Sequence, residues 1–349
     1  MAHSTVQAST ILGQFVAFVL AGGLSALALA SMLRAAWPTG FIDTPNPRSL
    51  HRRPIPRVGG LAVHPAWLLA CLAMLATRDP AQLQWLPIGA AAWASVLLFV
   101  VSLVDDRRHL PVWVRLPVHF ACASVVVLLS PSAAGSIATA SCVVLAIVWG
   151  TNLYNFMDGA NGLAGGMAVI GFLAYAWIAS TAGDDTMALV CASIAGAALG
   201  FLPFNFGHAR VFLGDCGSIP LGFLAGALGW LGFAAGTWKW WTPVLVFLPF
   251  VADATATLIR RLARRERVWL AHRDHAYQKL VLAGWSHARL ARWAYATMLA
   301  CAVSASVLQR TSGATQYVSL GGAVAIVLLV LHRIEHACGN RREAASAGR

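Results

Sequence analysis

Eleven apolar stretches of membrane length divide this chain, and few folds are open to a sequence built that way. With windows of about 20 apolar residues taken as spans, they fall at roughly 11–34, 61–77, 85–104, 112–130, 137–154, 164–181, 186–205, 218–236, 241–260, 290–308 and 317–336. In hydrocarbon every backbone polar group must be paired within the chain, so such runs become helices. The predicted fold is all-α, a polytopic membrane protein of about 11 transmembrane helices. Charged residues make up 11% of the 349 residues, against roughly a quarter in soluble domains, which excludes a soluble domain. The first run is too long for a signal-peptide apolar region and has no basic start, so it is expected to be retained. The seven cysteines form no CxxC pair and lie mostly inside apolar runs; neither a disulfide framework nor a zinc site is predicted. A single membrane domain is expected over 1–349, with a cytoplasmic arm at 261–289 and a polar tail at 337–349.

Charge then sets the orientation. With the loop after the first run in the cytoplasm, all of the 25 Lys and Arg residues except Arg78, Lys239 and Arg310 fall on that side. The positive-inside rule therefore predicts the N-terminus outside and the C-terminus inside the cytoplasmic membrane. The net charge of +12 becomes mainly a cytoplasmic-face charge, which serves topology and also attracts anionic lipid and phosphorylated substrates. The carboxylates are more selective. Asp105, Asp106, Asp158, Asp215 and Asp253 all sit where a span begins or ends on that face. Different spans thus deliver acids to one depth, the layout of a site at the membrane–cytoplasm boundary.

Five stretches carry the candidate chemistry. Asn152–Gly166, NLYNFMDGANGLAGG, is a polar knot between two apolar runs. Polar groups beside hydrocarbon usually mark function, although ordinary turn residues in a membrane loop are the alternative. Asn155 and Asp158 share a face if the helix runs on. The Pro-rich stretch Asp43–Gly60 is predicted as a non-helical loop; Arg48, His51, Arg52, Arg53 and Arg57 could clamp phosphate there or simply anchor the topology. Asp105 and Asp106 follow an apolar run, and their mutual repulsion raises one pKa unless a cation intervenes. That suits a general base or a metal partner, with helix capping as the alternative. Arg115, ten residues on, could return to the same site. In FNFGHARVFLGDCGSIPLG, Asp215 between Gly214 and Gly217 reads as a hard-cation ligand of the kind Mg²⁺ uses beside substrate phosphates. Asn205 and Phe212 could hold a planar base. The basic arm that follows could form an interfacial helix up to Leu270, with Val268, Trp269 and Leu270 against lipid. Beyond it His272, Arg273, His275, Tyr277, Gln278 and Lys279 could close over a substrate; His272 and His275 lack a third ligand for zinc.

Taken together, the DD pair, the NxxNxxDGxxGL stretch and the FLGDxGS stretch, in this order from about Asp43 to Gln278, resemble the polyprenyl-phosphate N-acetylhexosamine-1-phosphate transferases, the superfamily of the peptidoglycan lipid I synthase. HRDHAYQK resembles the branch that initiates O-antigen or similar surface polysaccharides. The resemblance implies ten or eleven membrane helices, a cytoplasm-facing site requiring Mg²⁺ or Mn²⁺, and transfer of a sugar-1-phosphate from a UDP-N-acetylhexosamine to undecaprenyl phosphate with release of UMP. It implies Asp215 as the principal metal ligand, Asn155 near metal or pyrophosphate, Asp105 as base with Asp106 beside it, and Arg115 on a phosphate. It places Asp158, Asn205 and Phe212 in the nucleotide region, and His275 in the arm over the sugar pyrophosphate; His272 and Arg57 are further candidate substrate contacts from the residue pattern itself. A homodimer is implied by analogy; nucleic acid is not an expected partner. Asn161 stands where lipid I synthases have aspartate, and HAYQ replaces their histidine cluster; both argue against a muramoyl-pentapeptide substrate. A transporter or flippase of an anionic lipid is the rival class, but it favours ionisable groups near the midplane.

Overall fold

A computed structural model describes residues 2–34, 41–45, 50–51, 53–77, 85–130, 135–267 and 272–347. The chain is nearly all helix. In order come α1 (Ala2–Met32), α2 (Gly59–Leu75), α3 (Trp85–Arg108), α4 (Val112–Leu128), α5 (Ile137–Phe156), α6 (Leu163–Ala182), α7 (Asp185–Asn205) and α8 (Asp215–Ala234). They are followed by α9 (Thr242–Val246), α10 (Leu248–Ala263), α11 (Ala276–Leu282), α12 (His287–Leu308) and α13 (Gly313–Ala347). Eight of these are long and apolar enough to cross a membrane, and α2 and α4 are shorter apolar helices. The two strands β1 (Ile42–Asp43) and β2 (Ile55–Pro56) pair antiparallel within the Pro-rich loop.

Local chemistry explains the helix ends. Ser136, Asp184 and Ser286 cap α5, α7 and α12, each side chain accepting from the backbone N–H three residues on, which satisfies one of the orphan donors of a helix start. The ninth apolar run, expected as one span over 241–260, is instead two helices meeting at Phe247. Pro249 is the physical reason: it lacks an N–H, and its ring would meet the carbonyl four residues earlier in a continuous helix. As the second residue of α10 it is harmless.

The centre of the bundle is made by α6, α7 and α8, whose apolar residues bury Met167, Phe172, Tyr175, Ile194, Phe201 and Phe223 almost completely. Helix α1 lies against α7 at a small-residue seam. A Cβ on Gly196 would stand 2.1 Å from the Phe18 carbonyl oxygen, and one on Gly200 2.2 Å from that of Gly22. Only glycine lets two backbones approach so closely, the usual way helices associate inside a bilayer. The polar ends of α3, α5 and α8 are brought side by side by this packing.

Candidate active site

The polar site lies where the end of α3, the turn after α5 and the start of α8 converge. Asp105 and Asp106 occupy the last turns of α3, which runs on to Arg108 rather than ending before them. Their side chains diverge. Asp105 pairs with the Arg115 guanidinium of α4 and accepts the Leu110 N–H at 2.6 Å. Asp106 turns to α8, where its two oxygens accept the N–H groups of Asp215 (3.1 Å) and Cys216 (2.9 Å). It therefore caps a helix, but α8 rather than its own, and the aspartate pair is split between two tasks.

Asp215 is the first residue of α8. One carboxylate oxygen lies 3.3 Å from Arg115 Nη1, and the other accepts from Asn155 Nδ2 at 2.9 Å. The same Asn155 nitrogen reaches the Ser218 hydroxyl at 2.9 Å. Arg115 thus bridges Asp105 and Asp215. Helix α5 ends at Phe156, so Asn155 is helical while Asp158 sits in the following turn, not one turn further along the same helix. Asp158, together with Asn155, Asp215, Arg57, Asn205, Phe212 and Gln278, lines a polar cavity of about 290 Å³. Burial, followed by the negative charges of Asp215 and Asp106, pushes the Asp158 carboxyl well above the usual carboxylate range.

The Pro-rich loop forms another wall. Gly59 and Gly60 donate to the Phe212 and Leu213 carbonyls, and Phe212 N–H donates to Pro56, so the two motifs run alongside each other. Arg57 Nη2 donates to the Asp106 carbonyl at 3.1 Å. Both Arg57 and Arg115 keep a buried Nε–H without an acceptor. His51 stands 3.3 Å from Asp43 and meets the Phe212 ring edge-on at 4.9 Å. Arg53 is exposed, and Arg48 and Arg52 lie outside the described residues. Asn205 lines the cavity, but its amide is engaged at both ends: Oδ1 accepts Gly162 N–H at 2.6 Å and Nδ2 donates to the Val211 carbonyl at 2.9 Å. That makes it a brace between two motifs.

The arm differs from its expected form. The basic helix ends at Ala263, not near Leu270, and Val268, Trp269 and Leu270 lie outside the described residues. The short helix α11 follows and straps the site. Buried Asp253 of α10 accepts the N–H groups of Ala276 (2.8 Å) and Tyr277 (3.2 Å), so a carboxylate holds the positive end of α11. Tyr277 then donates its hydroxyl to the Phe156 carbonyl at 2.9 Å. Burial, with the charges of Asp253 and Asp158, keeps that phenol well above its ordinary range and therefore a donor. The hydroxyl lies where a Cβ on Gly159 would be, 2.2 Å away, which is why the DG turn requires glycine. His275 is buried with Nδ1 3.7 Å from Asp253. His272 is held to about 4 by burial, then by His275 and Arg261, and is neutral at neutral pH. The two rings are 4.8 Å apart. Among the described residues no three His, Cys, Asp or Glu side chains gather as a complete metal cage.

Sequence reading placed Arg115, Asn155, Asp158 and Asp215 together, and the structure gathers them. It missed Tyr295, whose hydroxyl donates to the Gly162 carbonyl at 2.6 Å, and Ser218. Tyr295 belongs to α12, and no sequence pattern ties it to the DG turn; Ser218 lay in the quoted GDCGS and was legible only as part of that motif.

Residues 88–232, which include both aspartates of α3, the Asn155–Asp158 turn and Asp215, match glycosyl transferase family 4. The chain is 27% identical over 316 residues to a probable undecaprenyl-phosphate N-acetylglucosaminyl 1-phosphate transferase of Bacillus subtilis, covering 86% of this chain and 85% of the relative. It is 28% identical over 289 residues to a decaprenyl-phosphate N-acetylglucosaminephosphotransferase of Mycolicibacterium smegmatis, covering 72% and 71%. A shorter match, 49% identical over 76 residues, covers 22% of this chain and 24% of a phospho-N-acetylmuramoyl-pentapeptide-transferase of Geobacillus.

Proposed function

We propose that this phosphoglycosyltransferase, whose residues 88–232 match glycosyl transferase family 4, moves an N-acetylhexosamine 1-phosphate from a UDP-sugar to undecaprenyl phosphate. The products are undecaprenyl-diphosphate-sugar and UMP, the first step of O-antigen or a related cell-envelope polysaccharide. The observation that carries the reading is a pair of buried, unsatisfied arginine donors: Arg57 Nε, on a residue that lines the polar cavity, and Arg115 Nε, on the residue that pairs with the cavity's Asp215. A buried donor without an acceptor is costly, and phosphate oxygens are the acceptors that a guanidinium fork fits. The names of the relatives supply the polyprenyl phosphate and the sugar phosphate. An apolar cavity of about 440 Å³ between α5, α8 and α9–α10 includes Leu153 and Tyr154, the two residues before Asn155, and suits an isoprenoid chain whose phosphate reaches the polar cavity. The asymmetry of basic residues supports a site facing the cytoplasm.

A divalent cation, Mg²⁺ or Mn²⁺, fits the donor set. Asp215 and Asp158 offer carboxylates and Asn155 an amide oxygen, and burial, with the charges of Asp215 and Asp106, raises the pKa of Asp158, so a cation there would favour its ionised form. Mg²⁺ is usually held by one or two carboxylates and substrate phosphates rather than by a full protein cage. When bound, such an ion neutralises charge on the pyrophosphate and the departing nucleotide.

The chain's own residues then act as follows. Arg57 and Arg115 hold phosphate oxygens and offset the repulsion between two polyanions, the main barrier in phosphoryl transfer. Arg115, drawn to phosphate, releases the Asp105 oxygen it now holds. Asp105 can then take the proton of a monoprotonated lipid phosphate, whose second pKa is near 6. The lipid phosphate oxygen bonds to the β-phosphorus while the bond from that phosphorus to the bridging oxygen breaks, and UMP leaves with that oxygen. Asp106 holds α8, and with it Asp215, in place. His275 and Tyr277 close the arm over the donor, with His272 at its edge; Phe212 offers its ring to the uracil while Asn205 braces the wall. The test uses purified protein, undecaprenyl phosphate, Mg²⁺ and a panel of UDP-N-acetylhexosamines. UMP release that requires lipid, cation and one sugar is expected; no UMP from any donor with folded, lipid-binding protein overturns the reading.

A further inference from the structure

A second large cavity, about 740 Å³, opens on the other side of the strap between α10, α11, α12 and α13. Its walls are mostly apolar, with Leu290, Trp293 and Met298 from α12 and Val327 and Leu331 from α13; the carboxylate among them, Asp253, is buried and taken by the Ala276 and Tyr277 N–H groups. Two arginines stand at one end, Arg289 and Arg333. Both are exposed, and neither meets a carboxylate among the described residues. The nearby Glu335 is already taken by Lys279 and by Arg260 at 3.0 Å. Arg289 lies over the Trp285 ring at 4.1 Å, which fixes its guanidinium at the rim. From Arg289 to Met298 the helix rises about 14 Å, close to the roughly 15 Å of one leaflet's hydrocarbon. Trp293 is 63% exposed, as an aromatic anchor at a membrane interface is.

The groove has cations at the headgroup level and an apolar cleft one leaflet deep. We infer that it is a docking site for one anionic phospholipid of the surrounding leaflet, its phosphate on Arg289 and Arg333 and an acyl chain along Trp293 and Leu331. Basic pockets between membrane helices take anionic lipid for this reason. The acceptor substrate is a poor occupant. Tyr277 lines this groove, and its hydroxyl is bonded to Phe156 and packed on Gly159, so the strap partitions it from the polar cavity that Asp158 and Asp215 line. A lipid seated here braces the strap from behind.

The test is lipid retention by the full-length protein in neutral detergent, counted by native mass spectrometry with phosphatidylglycerol or phosphatidylcholine as probe. One phosphatidylglycerol per chain is expected, held at least tenfold better than phosphatidylcholine. The double variant R289Q/R333Q should lose that preference, the exposed control R292Q should keep it, and Trp293→Glu should weaken retention by repelling phosphate. Equal retention of the two lipids, or undiminished phosphatidylglycerol on the double variant, overturns the proposal. Displacement by equimolar undecaprenyl phosphate would give the groove to the acceptor, and uptake that vanishes on dimerisation would give it to a second copy; either result also overturns it.

Discussion

Helices α6, α7 and α8 have 78%, 78% and 83% of their spans buried, whereas α12 has 33% and α13 11%. The first group packs through its buried apolar side chains, with α7 seated on α1 through glycines, and holds Asp215 and the turn of Asp158 on rigid ends. The second group carries no carboxylate of the polar cavity and reaches it through a seven-residue helix tied down by a few polar contacts. Segments with few buried contacts are the ones that open locally. The contrast separates tasks: the packed helices fix where charge lies, and the loosely packed side supplies the strap that, in the proposed reaction, opens to admit the nucleotide sugar and release UMP.

The most severe break of this contrast is in the packed half. Gly200→Val places a side chain against the Gly22 carbonyl and should abolish the folded protein, seen as loss of a monodisperse peak in gel filtration; a folded, active variant would show that the seam can spread. Next comes Asp215→Asn, which leaves the packing intact. Turnover should fall about a hundredfold or more, the scale on which transition-state electrostatics act, with the thermal midpoint kept. The strap should be gentler. Asp253→Asn weakens the hold on the Ala276 and Tyr277 N–H groups, and an effect of about tenfold is expected, near the 1.5–3 kcal/mol of a charged hydrogen bond. It should appear more in the KM for the UDP-sugar than in kcat, and an unchanged KM would argue that the strap does not cover the donor. Tyr277→Phe removes one neutral bond worth about 1 kcal/mol and should raise KM only a few-fold.

The pH dependence sharpens the same distinction. Asp158 has its folded pKa raised above its unfolded value, so the neutral form favours the fold. That contribution is complete below the unfolded pKa and is lost as pH rises through the folded one. Without substrate and cation, the protein should therefore melt at a lower temperature at neutral pH than in mild acid. Asp158→Asn should lift the neutral-pH midpoint while removing activity. A midpoint that falls in Asp158→Asn would mean the carboxylate is a structural partner, not a group held in readiness for charge.

Much of the fold was legible because a membrane-length apolar run has one backbone solution. Ten of the eleven runs correspond to single helices, eight of them with ends within four residues, while α1 starts nine residues earlier and α13 ends eleven later; the exception, 241–260, breaks at Pro249. The gathering of Arg115, Asn155, Asp158 and Asp215 was legible from acids recurring at span ends. The strap was not, since the bond from Asp253 to Ala276 crosses 23 residues of sequence, including a stretch that reads simply as basic.

By itself the sequence determined the helical class, the order of the apolar helices, and the motifs that mark the chemistry, because hydrocarbon forces backbone pairing and charge forces polar ends to the surface. Tertiary structure alone decided what each acid does. Asp105 and Asp106 are neighbours, but successive residues on a helix point about 100° apart. One therefore meets Arg115 of α4 and the other the N-terminus of α8. No pattern in the chain says which, since the answer depends on which helices stand on either side of α3.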